Sequence, residues 1–408
     1  MSLGVGSAMM GILINRVRLR NFKSIASCDV RLTDLCALVG VNGAGKSNFL
    51  DSFSFVSDAC NSTLETAIRN RGGLGAVRRR SEGHPNNFGM SFSVNLSGGL
   101  NAFFAFEISA TPGGRFEVSR ERAAISESDG IGVAEYEIKR GDLNKFTISG
   151  AKPDVRPDRL FLTSVSGLRP FDLLFDALAG ISIYDINPED FRYPQPHEAG
   201  DVLSPSGQNL ASVFRRLSDS SSETYDRIGE YLQKIVSSVV GVQPKSLGPT
   251  ETIQFQQFVQ NSKHPWKFDA LNMSNGTLRS LGVLTALFHR EVLAEGQTPF
   301  IGVEEPEGTI HPGAAAVLMD AIIEASKSRQ ILLTTHSPEL LDHEGIDEEN
   351  LFIVTSERNE SWIGNADSAS REAMRKSLLT AGELLRTNQL SPENASDRML
   401  KQSDLFSS

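Results

Sequence analysis

Gly40-Val41-Asn42-Gly43-Ala44-Gly45-Lys46-Ser47-Asn48 decides how the rest of the chain is read. It follows an apolar run, Leu35-Cys36-Ala37-Leu38-Val39, that has the length of a buried strand. It precedes Phe49-Leu50-Asp51-Ser52-Phe53, the first turns of a helix predicted over residues 46 to about 59. Strand, G-x-x-x-x-G-K-S loop and helix make up a phosphate-binding loop. Gly40, Gly43 and Gly45 let the backbone curl until successive N–H groups point inward, and the helix N-terminus adds positive potential. Lys46 can reach β- and γ-phosphates, and the Ser47 hydroxyl can ligate Mg²⁺. Asn42 and Asn48 complete the candidate binding set. The plain alternative is a glycine-rich turn with an exposed lysine, and what comes later in the chain separates the two.

The chain has 408 residues, enough for two or three domains or one elaborated domain. Its formal net charge of −10 excludes a generally basic nucleic-acid coat, so any DNA contact needs a local basic patch. Cys28, Cys36 and Cys60 lack metal-ligand spacing and suit a reducing cytoplasm. No apolar run approaches the ~20 residues of a membrane helix. Residues 1–11 lack the basic start and apolar core of a signal peptide. A cytoplasmic protein with no membrane partner is expected.

Residues 12–20 alternate as a strand, and residues 28–32 form a second. Arg69, Arg71, Arg78, Arg79 and Arg80 stand in a glycine-rich loop, the densest basic cluster, which is either a phosphate-backbone contact or a solvated loop. From Phe88 the period becomes two: Phe88, Met90, Phe92, Val94 and Leu96, then Phe104, Phe106 and Ile108, then Phe116 and Val118, Tyr136 and Ile138, Phe146 and Ile148. This pattern predicts an antiparallel meander with one buried face. Residues 170–179 read as helix and 181–186 as strand. The proline-bearing stretch 191–206 reads as loop, and 209–240 as helix broken at Ser218–Ser222. Residues 253–259 and 266–271 suggest a hairpin.

Three later stretches answer the phosphate loop. Met273-Ser274-Asn275-Gly276-Thr277-Leu278-Arg279 opens a helix with Leu281, Leu284 and Phe288 on one face. This puts Ser274 at the N-cap and lets Gly276 bring backbone close to an anion. Phe300-Ile301-Gly302-Val303 is a strand that delivers Glu304-Glu305 at its end. Glu304 can hold Mg²⁺ or its water, and Glu305 can orient and deprotonate an attacking water. Ile331-Leu332-Leu333-Thr334-Thr335 is a strand ending at His336, which can touch a γ-phosphate or that water. Each stretch has a bland reading: a capped helix, an acidic loop, a structural histidine. Their joint order, at the carboxyl ends of strands, favours one site.

With these motifs the chain resembles the ABC-type ATPases of the RecF, RecN and SMC class, and most closely the stand-alone AAA ATPases related to OLD (overcoming lysogenisation defect) proteins. Asn21-Phe22-Lys23-Ser24, Gly207-Gln208-Asn209-Leu210, Glu304-Glu305-Pro306-Glu307 with His311-Pro312, Thr335-His336-Ser337-Pro338 and Gly382-Glu383-Leu384 extend the resemblance. It implies an α/β P-loop head with a mixed central sheet, an antiparallel β-lobe and an inserted helical lobe. It implies ATP and Mg²⁺ as cofactors, bound by residues 40–47 in cis and by Ser274 and Gly276 of a second copy in trans. Glu305 would be the general base, Glu304 with Ser47 the metal side, Lys46 a catalytic contact and His336 the switch residue. The division implied is 11–185 (phosphate loop and meander), 186–298 (helical lobe with the signature) and 299–408 (paired acids, switch histidine, C-terminal helix). The first acid is Glu304 where this class usually has aspartate, and Gln195 is the best candidate for a glutamine loop. Too little chain follows His336 for the Toprim nuclease that OLD proteins append. Homodimerisation on ATP, DNA and a separate nuclease or effector are the implied partners, in DNA repair, chromosome maintenance or anti-phage defence. The rivals are a transporter's nucleotide-binding subunit, an ATP-gated binding module with little turnover, and a direct DNA binder using the arginine loop.

Overall fold

Strands β1 (Leu13–Phe22) and β2 (Ile25–Arg31) pair antiparallel and lead into β3 (Leu35–Val39), which is buried along its whole length. This computed structural model describes residues 13–81, 85–150, 152–289, 300–393 and 404–407. The expectations for residues 1–12 and for a boundary at 298/299 fall outside the described residues. Leu35, Ala37 and Val39 of β3 face one core while Cys36 and Leu38 face another, so the run is apolar without alternation.

After the phosphate loop come α1 (Lys46–Asn61), α2 (Leu64–Arg69) and α3 (Leu74–Val77). The meander follows as β4 (Asn87–Leu96), β5 (Leu100–Thr111), β6 (Arg115–Glu127), β7 (Gly132–Lys139) and β8 (Asp142–Phe146). Helices α4 (Phe161–Val165) and α5 (Phe171–Ala179) return the chain to β9 (Ser182–Tyr184). Then come the two-residue β10 (Gln195–Pro196), α6 (Leu210–Ser220), α7 (Ser222–Ile235), β11 (Val239–Leu247), β12 (Thr250–Gln257) and β13 (Trp266–Asp269). The last part holds α8 (Asn275–Phe288), β14 (Phe300–Glu304), α9 (Ala315–Ser326), β15 (Gln330–Thr335), α10 (Pro338–Leu341), β16 (Leu351–Glu357), β17 (Glu360–Asn365), α11 (Ser368–Arg375) and α12 (Ala381–Arg386).

One thirteen-stranded sheet runs β8-β7-β6-β5-β4-β1-β2-β17-β16-β3-β15-β14-β9. The β-lobe is therefore continuous with the nucleotide-binding sheet, joined where β4 pairs with β1. Parallel pairing runs through β16, β3, β15, β14 and β9, so the carboxyl ends of β3, β15, β14 and β9 share an edge. Phe53 of α1 stacks on Phe300 of β14 at 4.6 Å, and Phe22, Phe55 and Phe88 form an aromatic cluster beneath the meander. On the other face α6 to α9 bury Phe214, Leu232, Leu281 and Leu318.

Two expectations need correction. The hairpin suggested over 253–259 and 266–271 is β12 with β13, but β11, missed in the sequence, also pairs with β12, which takes β10 as well, so a small antiparallel sheet accompanies the helices. The helical reading of 209–240 overruns: α7 ends at Ile235, and Val239 opens β11. The arginine stretch is not one loop. Arg69 ends α2, and Arg71 is bound by Asp51, Asp58, Ser54 and the Ala67 carbonyl. Arg79 pairs with Glu360. Two of the five charges thus hold α1 and β17 in place. Among the described residues no helix is long and apolar enough to cross a membrane.

Candidate nucleotide site

The phosphate loop is shaped by its packing. Gly43 and Gly45 have φ of +77° and +108°, which favour glycine. A Cβ on Gly45 would lie 2.0 Å from Ser361 Oγ. That hydroxyl, on β17, donates to the Ala44 carbonyl at 2.7 Å and meets Ser24 Oγ at 2.6 Å. Asn48 Nδ2 donates to the same Ser24 Oγ at 2.6 Å. Ser24, Asn48 and Ser361 thus brace the loop from behind, so Asn48 positions the loop as well as lining its cavity. A Cβ on Gly40 would meet the Val354 carbonyl of β16 at 2.2 Å, so only glycine fits the loop's start.

Helix α1 begins at Lys46 with no side-chain cap and no acid in its first turn, which leaves its first N–H groups to an anion. A cavity of about 290 Å³ lies there, walled by Asn42, Gly43, Gly45, Lys46, Ser47, Asn48 and Glu305. Lys46 is buried, and its Nζ donates to the Gly40 carbonyl at 2.8 Å and the Val41 carbonyl at 3.3 Å. Burial lowers its pKa, opposed by Glu305, Glu307 and Glu304.

Ser47 Oγ donates to Glu304 Oε2 at 2.7 Å. Burial raises the Glu304 pKa, Ser47 opposes it, and Asp185, Glu305 and Asp51 add to the rise. One hydroxyl and one carboxylate side by side are hard oxygen donors of the kind that suit Mg²⁺. Among the described residues no group of three or more His, Cys, Asp or Glu could hold a metal ion.

Glu305 stands one residue past β14 with φ +40°, a strained conformation held by its N–H donating to Thr334 O and Oγ1, each at 3.1 Å. Its Oε1 lies 3.3 Å from His336 Nδ1. Glu307 Oε1 accepts from the His336 N–H at 3.3 Å and from Thr335 Oγ1, and its Oε2 is buried without a hydrogen-bond partner.

Ser274 caps α8, accepting from the Thr277 N–H at 3.2 Å. A Cβ on Gly276 would lie 2.5 Å from the Thr309 carbonyl, so the start of α8 packs on the turn after the paired acids. Neither Ser274 nor Gly276 walls the phosphate-loop cavity. Gln195 is tied to the Asp190 carbonyl, pairs with Glu251 and is also outside that cavity.

Sequence reasoning missed Asp185 and Ser361, and it placed Arg279 in the signature stretch without giving it a role. Asp185 follows β9, the parallel neighbour of β14, and lies 3.8 Å from Arg279. Arg279 Nη2 donates to the Glu304 and Glu305 carbonyls at 3.0 Å each, and Nη1 to the Ile186 carbonyl. The topology could have found Asp185, because it predicts a ligand edge at every parallel strand end. No local signal marks the contacts that Arg279 and Ser361 make.

This architecture is that of an ABC-type P-loop ATPase head. An SMC head bound to the C-winged helix domain of ScpA superposes with a TM-score of 0.53 at 15% identity, covering 86% of this chain and 96% of that one. An Smc head with an extended coiled coil, bound to the C-terminal domain of ScpA derived from Pyrococcus furiosus, gives 0.52 at 12% identity, covering 90% and 99%. Residues 35–342 match the family described as "AAA domain, putative AbiEii toxin, Type IV TA system", and the chain belongs to that family. No curated protein matches it in sequence.

Proposed function

We propose that this chain binds and hydrolyses ATP with Mg²⁺ and closes head-to-head with a second copy around the nucleotide. The observation that carries the reading is the meeting of Ser47, Glu304, Glu305 and His336 beside the phosphate loop, with the Ser274 cap outside its cavity. The loop amides and Lys46 hold the phosphates. Ser47 and Glu304 would hold Mg²⁺, which would offset the negative charge of the phosphates. Glu305 takes the proton of the attacking water, and His336, paired with it, positions that water. Ser274 and Gly276 at an uncharged helix N-terminus suit a γ-phosphate offered by the partner. A site completed in trans shifts the dimer equilibrium only by contacts present in the closed state.

We extend the proposal to the three-part division at 185/186 and 298/299 and to an output in DNA repair, chromosome maintenance or anti-phage defence, through a separate nuclease or effector. The two similar SMC heads are each seen with a ScpA domain, which supports a protein partner for a head of this shape. Direct DNA binding through residues 69–80 loses support, because Arg71 and Arg79 are engaged within the chain. Phosphate release by wild type and Glu305→Gln tests the enzyme reading. Loss of turnover with ATP binding intact supports it. ATP binding with no turnover in either protein supports a gated binding module instead.

A further inference from the structure

The outer face of the meander carries a feature that the nucleotide reading does not use. Residues Asp404–Ser407 lie across it, outside every strand ladder. Leu405 and Phe406 are 0% and 3% exposed and form a separate small core with Phe103 and Ala105 of β5. The face is built to receive them. Gly89 of β4 leaves space for Leu405: a Cβ there would lie 2.6 Å from Leu405 Cδ1. Arg120 lies over the Phe406 ring at 3.8 Å. Arg122 Nη1 donates to the Phe406 carbonyl at 2.7 Å. Arg18 Nη1 donates to the Asp404 carbonyl at 2.9 Å and to Ser407 Oγ at 3.1 Å, and its Nη2 to the Ser407 carbonyl. Asp404 Oδ1 caps the turn by accepting from the Phe406 N–H at 3.1 Å.

These are the elements of peptide recognition: two apolar anchors in sockets and arginines reading backbone carbonyls. The groove is also longer than its occupant. Phe103, Arg122 and Ala124 wall a cavity of about 560 Å³ that continues to Lys145 and Thr147.

We infer that this face is a docking site for a short peptide of Asp-Leu-Phe-Ser type, and that segment 404–407 is its resident, detachable ligand. Reach permits docking within one chain. Glu393 is fixed beside Asn365 at the end of β17, and β5 lies four strands away. Four spacings are about 19 Å. Residues 394–403 can span roughly 33 Å. A tether of that length gives an effective concentration in the millimolar range. A free peptide of the same type therefore competes poorly until the resident is displaced or weakened. The inference stands independently of the nucleotide chemistry.

The test uses the full chain and a fluorescent peptide of residues 401–408, Lys-Gln-Ser-Asp-Leu-Phe-Ser-Ser. Wild type should bind it at least tenfold more weakly than a Leu405→Asp/Phe406→Asp double variant, whose groove is vacated. Adding Arg122→Ala to the double variant should weaken binding roughly tenfold. Binding to neither protein, or equally to both, overturns the inference. Hydrogen exchange in wild type decides the matter if the double variant misfolds. The Phe406 and Ser407 amides should exchange more slowly than in the free peptide and faster than the β5 amides. Exchange at the free-peptide rate, or only with global unfolding, overturns it as well.

Discussion

Ser47 Oγ donates a 2.7 Å hydrogen bond to Glu304 Oε2 across 257 positions of sequence. The two meet because β3 and β14 both flank β15 in parallel register, with Val39 opposite Thr335 and Glu304 opposite Thr334. The end of one strand feeds the phosphate loop, and the end of the other supplies the acid.

Glu304→Gln should keep the fold and lower Mg²⁺-dependent ATP affinity and turnover by roughly tenfold to a thousandfold, since a neutral amide replaces a carboxylate ligand. Burial raises the Glu304 pKa, so in wild type metal-dependent binding should be lost on acidification earlier than an ordinary carboxylate would cause. Mg²⁺ titrations monitored by nucleotide fluorescence at several pH values check both. Unchanged Mg²⁺ dependence in the variant removes Glu304 from the metal.

Ser274→Asp separates the cap of α8 from its proposed contact in trans. Aspartate caps as well as serine, so the helix should survive. Its charge would face a γ-phosphate. Single-head ATP binding should stay within about twofold while ATP-driven association weakens by a hundredfold or more, at a like-charge cost of several kcal/mol. Sedimentation with and without ATP reads the difference. Normal association would place Ser274 away from the nucleotide.

Arg279 links the signature helix to the catalytic strand through the Glu304 and Glu305 carbonyls. It is a positioning residue, because it does not wall the phosphate-loop cavity itself and meets it only through the Glu305 main chain. Lysine cannot reproduce a forked set of bonds. Arg279→Lys should therefore lower kcat about tenfold or more with KM nearly unchanged. A rise in KM alone would point to a nucleotide contact.

These three predictions rest on parts of the site with different legibility. The phosphate loop, β3, β14 and β15 were readable because each is a short apolar run ending in residues of unmistakable chemistry. The meander was readable from its period, and Phe88, Met90, Phe92, Val94 and Leu96 are all buried as that period requires. What the sequence concealed was long-range. Nothing near Ser361 announces that its hydroxyl fills the space behind Gly45, and nothing near Arg279 announces two carbonyls more than twenty positions away. The small sheet of β10 to β13 was half hidden because Val239 and Val242 continue a helical spacing and only the partner strand β12 decides between the two. Continuity of the meander with the central sheet depends on β4 pairing with β1, which no local pattern encodes.

Glu121 gives a pH prediction for stability. It is fully buried and accepts from Tyr136 Oη at 2.7 Å and from the Phe161 and Leu162 N–H groups at 2.7 and 2.9 Å. Burial nonetheless pushes its pKa up from 4.5 to about 7. A carboxyl raised in the folded state takes up its proton there before the unfolded chain does. Its contribution therefore favours folding at acidic pH and is lost as pH rises from 4.5 to about 7. The loss is at most about 3 kcal/mol. Urea unfolding of wild type and Glu121→Gln across that window should show the wild type losing stability relative to the variant. A constant difference would contradict this.

The mass in solution of wild type and Glu305→Gln, each with and without ATP and Mg²⁺, tests the central claim most directly. The composite-site account predicts that ATP doubles the mass of both, that wild type returns to a single head as ATP is consumed, and that Glu305→Gln stays doubled. A single-head mass for both proteins under conditions where wild type hydrolyses ATP would contradict it, and would confine the chemistry to one head.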